Sequence, residues 1–202
     1  MNTMKITKTM GIAFAAAVGG MYGSVAYAEE FTAHLSGFDE VPLAINSPGT
    51  GKLRLKADKH AGTLEYELTY SGLTSPATQA HIHFGKRGVT GGVIVYFCSN
   101  LGNAPAGTPA CPENGGTVSG TITSAGVIGA QPQNVKPGDF EALLAALFSK
   151  TSYANVHTTN FPAGEIRGEI RIDKKENGRD DSHDKERDEN PVKNNIEQHG
   201  GH

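Results

Sequence analysis

From about residue 31 to residue 172 the chain is written in a period of two. In "TGKLRLKAD", Leu53 and Leu55 alternate with Lys52, Arg54 and Lys56. In "AGTLEYELTYSG", Leu64, Tyr66 and Leu68 alternate with Glu65 and Glu67. Successive side chains of a strand point to opposite faces, so such runs have one face for a core and one for water, which a helix cannot satisfy. "FTAHLSG", "QAHIHF", "GGVIVYF", "GTVSGTIT", "SYANVHTT" and "GEIRGEIRI" continue the series, with Gly, Pro, Asn and Asp between them. About eight short strands with turn residues between them predict an all-β fold, an antiparallel Greek-key-like β-sandwich or a barrel. One segment departs from the pattern. "PGDFEALLAALFSK" spaces Phe140, Leu143, Leu144 and Leu147 as one helical face, with Pro137 and Asp139 placed to start it, so one short helix is expected near 139–149.

The two ends read differently. Lys5 and Lys8 precede the apolar run "MGIAFAAAVGGMYGSV", and Ala26-Tyr27-Ala28 supplies small residues for cleavage. Residues 1–28 are therefore expected to be a signal peptide, with Glu29 opening an exported protein, periplasmic or extracellular. No later run approaches the roughly 20 apolar residues of a membrane span. At the other end, "DKKENGRDDSHDKERDENPVKNNIEQHGGH" has only Val192 and Ile196 as apolar residues. Such a stretch cannot offset the entropy of ordering it, so residues 173–202 are expected to be a disordered charged tail. Its mixed charges, and a net charge of −3 overall, argue against a nucleic-acid partner. Cys98 and Cys111, the only cysteines, predict one disulfide in an exporting context.

Parity then sorts the residues able to do chemistry. In "AHIHF", Ile82 takes one face and His81 and His83 the other; in "YANVHTT", Val156 takes one face and Asn155 and His157 the other. With Ile82 and Val156 in the core, all three histidines fall on the outward or rim side. Along "GEIRGEIRI", Ile166, Ile170 and Ile172 face in, while Glu165, Arg167, Glu169 and Arg171 face out. "NFPAG" joins the last strands as a hairpin, which sets His157 across from Glu165 or Arg167.

The segments "GFDEVPLAINSPGTGKLRL", "LEYELTYSGL", "AHIHFGKRGVTGGVIV" and "FEALLAALFSKTSYANVHTTNFPAGEIRGEI" occur in the order typical of the CHRD domain. That domain is repeated in the secreted developmental regulator chordin and stands alone in many bacterial exported proteins. The resemblance places a CHRD domain over residues 29–172 and implies a β-sandwich of immunoglobulin-like or superoxide-dismutase-like form. It implies no reaction. In chordin the binding of bone morphogenetic proteins is associated largely with other domains, so that ligand does not carry over.

Two readings of the histidines stay open. His81 and His83 stand about 6.5–7 Å apart along a strand and, with His157, make a three-nitrogen site suited to zinc or copper. Glu165, Arg167 and Asn155 are the expected supporting residues, Glu165 as a fourth ligand or as a partner that orients a ring. An ordinary imidazole titrates near 6.5, so metal affinity is expected to weaken as pH falls through about that value. Alternatively the rings bond backbone or Asn155, Thr159 and Arg167 and simply tie strands together. His34 and His60 carry no site role. "GKRGVTGG" lacks a following helix and a Lys-Ser/Thr ending, and reads as a turn with Lys86 and Arg87 exposed. H-x-H on a strand also resembles copper-zinc superoxide dismutase, but no further core histidine follows His83 before His157, so the ligand count of that enzyme is not met. The sequence thus points to an exported binding or structural module with a candidate metal site, whose partner would be another exported protein. The alternative is a metal-dependent redox enzyme on the same cluster.

Overall fold

The computed structural model describes residues 28–174. All but the last residue of the expected signal peptide, and all but the first two residues of the expected tail, lie outside the described residues. Nine strands form one antiparallel sheet: β1 (Glu29–Ser36), β2 (Thr50–Asp58), β3 (Thr63–Ser71), β4 (Ala77–Phe84), β5 (Gly92–Ser99), β6 (Gly116–Ile122), β7 (Ser152–Thr158), β8 (Ile166–Glu169) and β9 (Arg171–Ile172). The order across the sheet is β5-β4-β7-β8-β1-β2-β3-β6, with β9 pairing β1.

Each alternating run supplies the core through its apolar parity. Leu53 and Leu55 of β2, and Leu64, Tyr66 and Leu68 of β3, are buried while their charged neighbours are exposed. Arg54 meets Glu67 at 3.0 Å on the wet face, directly across the β2–β3 register. The sheet rolls so that its β5-β4-β7-β8 half faces the β1-β2-β3-β6 half. The Tyr66 hydroxyl of β3 donates to the carbonyl of Phe97 on β5 at 2.7 Å, and their rings stand 5.0 Å apart. The two edge strands are thereby brought close, and Val127, bridged to Val95, fills the seam. The result is a nearly closed barrel or sandwich, all-β as the alternation predicts.

The helix forms where its spacing places it. α1 (Phe140–Phe148) begins after Asp139, whose carboxylate accepts from the Ala142 N–H at 2.9 Å, and it buries Leu143, Leu144 and Leu147. It lies in the long connection that carries the chain from β6 back across to β7. Cys98 and Cys111 are joined, stapling the loop after β5. Lys86 and Arg87 are exposed in the turn after β4. Among the described residues, no helix is long and apolar enough to cross a membrane.

Candidate metal centre

The three histidines meet on one side of the β4–β7 pair. Register sets His81 opposite Asn155, His83 opposite Tyr153 and Gln79 opposite His157, so His157 sits diagonally from His81. β8 extends the same layer, with Arg167 opposite Asn155 and Glu169 opposite Tyr153. The parity is as the sequence predicts. The exposure is not, because His81, His83 and His157 are 2%, 8% and 6% exposed. Two loops roof this face. The turn after β4 brings the carbonyls of Val89 and Gly91 over it, and the segment after β1 lays Glu40 against Asn155. Tyr96 of β5 closes the flank, its ring edge-on to His81 at 4.4 Å. β7 is consequently buried on both faces.

Hydrogen bonds fix the rings. His83 Nδ1 lies 2.9 Å from the Gly91 carbonyl and His157 Nδ1 lies 3.0 Å from the Pro162 carbonyl. A carbonyl only accepts, so both Nδ1 atoms carry the proton and both Nε2 atoms keep a lone pair. His81 Nδ1 is 3.1 Å from His157 Nε2; since the latter only accepts, His81 Nδ1 is the donor in that pair. His81 Nε2 is then also a lone pair. Both His81 Nε2 and His83 Nε2 are buried without a hydrogen-bond partner. One candidate nitrogen from each of the three residues lies within 4.8 Å of the others.

Burial, reinforced by the neighbouring His157 and His83, drives His81 far below its ordinary range. Burial likewise pushes His83 down to about 4, against the raising effect of the Gly91 carbonyl. His157 is lowered by burial, with Pro162 opposing. At neutral pH the cluster therefore presents three uncharged imidazoles, the form that ligates metal.

The supporting residues divide. Arg167 is buried in this layer, its guanidinium 3.4 Å from the centre of the Tyr153 ring, and Tyr153 stacks on His83 at 4.7 Å. Asn155 donates to Glu40 Oε2 at 3.4 Å and bonds none of the rings. Glu165 is a correction. The chain leaves the ladder at Gly164, with φ at +132°, and turns the Glu165 side chain to the Thr158 side, away from His157. There its carboxylate accepts from the hydroxyls of Ser47 (2.6 Å), Thr158 (2.7 Å) and Thr74 (3.1 Å) and from the Thr74 N–H (2.8 Å). Burial raises that carboxyl, but the hydrogen bonds outweigh it and hold the group below the usual range. Glu165 neither completes the cluster nor orients a ring; it ties three loops together. The expected ring partners Asn155, Thr159 and Arg167 are also replaced, since backbone carbonyls and a neighbouring imidazole hold the rings.

Three residues of the site carried no legible signal. Tyr96 and Tyr153 lie within the strand runs "GGVIVYF" and "SYANVHTT", where nothing in the spacing marks them. Glu40, in "GFDEVP", read as loop, yet it is 6% exposed, and burial pushes its carboxyl up to about 7 against the lowering effects of Arg167 and Asn155.

Two comparisons bear on this chain. A family model described as the CHRD domain matches residues 31–170, more than half of the sequence. No curated protein matches it.

Proposed function

The chain belongs to the CHRD domain family, and on that premise we propose that it is an exported binding module whose His81, His83 and His157 hold one zinc or copper ion. The observation that carries this reading is the pair of backbone carbonyls on His83 and His157. Metal-ligating histidines commonly donate the other ring N–H to such a group, which fixes the tautomer and aims the free lone pair. Here the Nε2 atoms of His83 and His81 are both buried with no hydrogen-bond donor to either. Imidazole donors suit zinc and copper, whereas calcium and magnesium require oxygen. The disulfide and the signal-like first 28 residues support export.

A second reading rests on the same hydrogen bonds: the rings fasten β4 to β7 and to the loops that roof them, and no ion binds. The two unpartnered nitrogens favour the metal. Redox catalysis on the cluster gains no support beyond the ligands themselves, and a superoxide assay on the loaded protein tests it.

Titration calorimetry of the untagged protein with Zn²⁺ and with copper at pH 7.5 decides between the two main readings. One-to-one binding at micromolar concentration or below, lost in His83→Ala while the tail histidines are unchanged, is the expected result. Identical isotherms for the two proteins would leave the cluster as a fastener.

A further inference from the structure

A cleft of about 510 Å³ opens on the outer side of Arg167, between the Phe38–Val41 turn and the arginines of β8, β9 and the turn after β4. That volume is in the range of small-molecule sites. We propose that it binds a small carboxylate with an apolar body, the Arg167 guanidinium receiving the carboxylate and Phe38 and Val41 the apolar part.

Arg167 is 3% exposed and lines the cleft. A guanidinium offers five N–H donors. One nitrogen, Nη2, donates to the Val89 carbonyl at 2.8 Å, and the flat face rests on Tyr153 at 3.4 Å. Stacking uses the face and leaves the in-plane donors available. The acids around the cleft are engaged elsewhere. Glu169 is shared between Arg87 at 3.3 Å and Arg171 at 2.7 Å, and Asp39 accepts from the Ser36 hydroxyl at 2.8 Å. Glu40 takes the Asn155 amide through one oxygen; its other oxygen is buried without a hydrogen-bond partner, and it feels the Arg167 charge without forming an ion pair with it. Among the described residues, no carboxylate lies within ion-pair distance of Arg167. A buried guanidinium without a contacting counter-charge is costly, and a carboxylate matches its forked donors bidentately. Phe38, 70% exposed at the rim, is a large aromatic surface placed where such a ligand's body would rest.

None of the three clustered histidines lines the cleft, but Arg167 borders both through Tyr153, so the test is run in EDTA to keep any metal out. 3-Phenylpropionate, its amide and 3-phenylpropylamine are titrated into the whole protein and followed by NMR shifts of the cleft residues. The acid is expected to bind with Kd near about 1 mM, the range for so small a ligand, and the amide and amine at least about tenfold more weakly. N-acetylphenylalanine distinguishes a peptide C-terminus from a free acid; whichever of the two binds tighter names the source, and both support the site. Arg167→Gln is expected to abolish acid binding, whereas Glu40→Gln, which keeps the shape and removes a nearby negative charge, retains it. Equal affinity for acid and amide in the unmodified protein overturns the proposal whether or not the Arg167 variant folds. So does acid binding that survives Arg167→Gln.

Discussion

His83 gives up its charge to stay where it is, and that makes the native state sensitive to acid. In the unfolded chain the ring takes a proton near 6.5; in the fold burial delays protonation to about 4. The stabilisation is complete above about 6.5 and is lost as pH falls through 4, because the unfolded state binds the proton first. For His83 alone the loss over that window is about 3 kcal/mol. His81 and His157 shift the same way. Glu40 works against them: its carboxyl, raised to about 7, keeps a proton that the unfolded chain has released, so its contribution grows as pH falls from 7 towards 4.5. Three histidines outweigh one acid. Urea unfolding is expected to show stability falling from pH 7 to pH 5, with a shallower fall in His83→Gln. A flat profile in both proteins would contradict the burial of charge-averse rings. The same burial amends the sequence-based expectation for metal: protons do not compete for His83 near 6.5, so its affinity should hold to lower pH.

At the scale of elements, legibility followed from how many faces a strand shows to solvent. β2 and β3 have one wet face, and their alternation gave the core residues correctly. α1 was legible for a similar reason: one stripe is buried, and a capping acid stands before it. Asp139→Ala should cost about 1 kcal/mol in unfolding free energy, the usual value of an N-cap, with the strands unaffected. β7 could not be read this way. Parity assigned its side chains to two faces but said nothing of what covers the second, and the cover comes from segments 37–48 and 85–91, distant in sequence and containing neither strand nor α-helix. The cluster itself was therefore visible as three residues of one parity, while its burial was not. Glu165 escaped for a different reason. One glycine at φ +132° breaks the alternation just before it, and a pattern of period two carries no mark of a break that a single residue introduces.

Closure decides what the whole molecule needs. β1 lies between β2 on one side and β8 and β9 on the other, so the last strands join the first and hold the two halves of the sheet together. Phe31 pairs with Ile172 in register, and the Asp173 N–H donates to the Glu30 carbonyl at 2.8 Å. That bond is the point at which the end of the barrel is tied off, and it lies before residue 175. Beyond it the sequence offers two apolar side chains, Val192 and Ile196, among many charges, so removing it takes away little apolar surface. We therefore expect a chain truncated after Lys174 to keep the barrel, the disulfide and the histidine cluster intact. Its thermal midpoint should fall within about 2 °C of the full chain, since a change of 1 kcal/mol in a domain this size moves the midpoint by only a few degrees. Differential scanning calorimetry on both proteins, with EDTA present, measures this directly. A fall much larger than that would mean that residues 175–202 pack on the domain, and would move its boundary past Asp173.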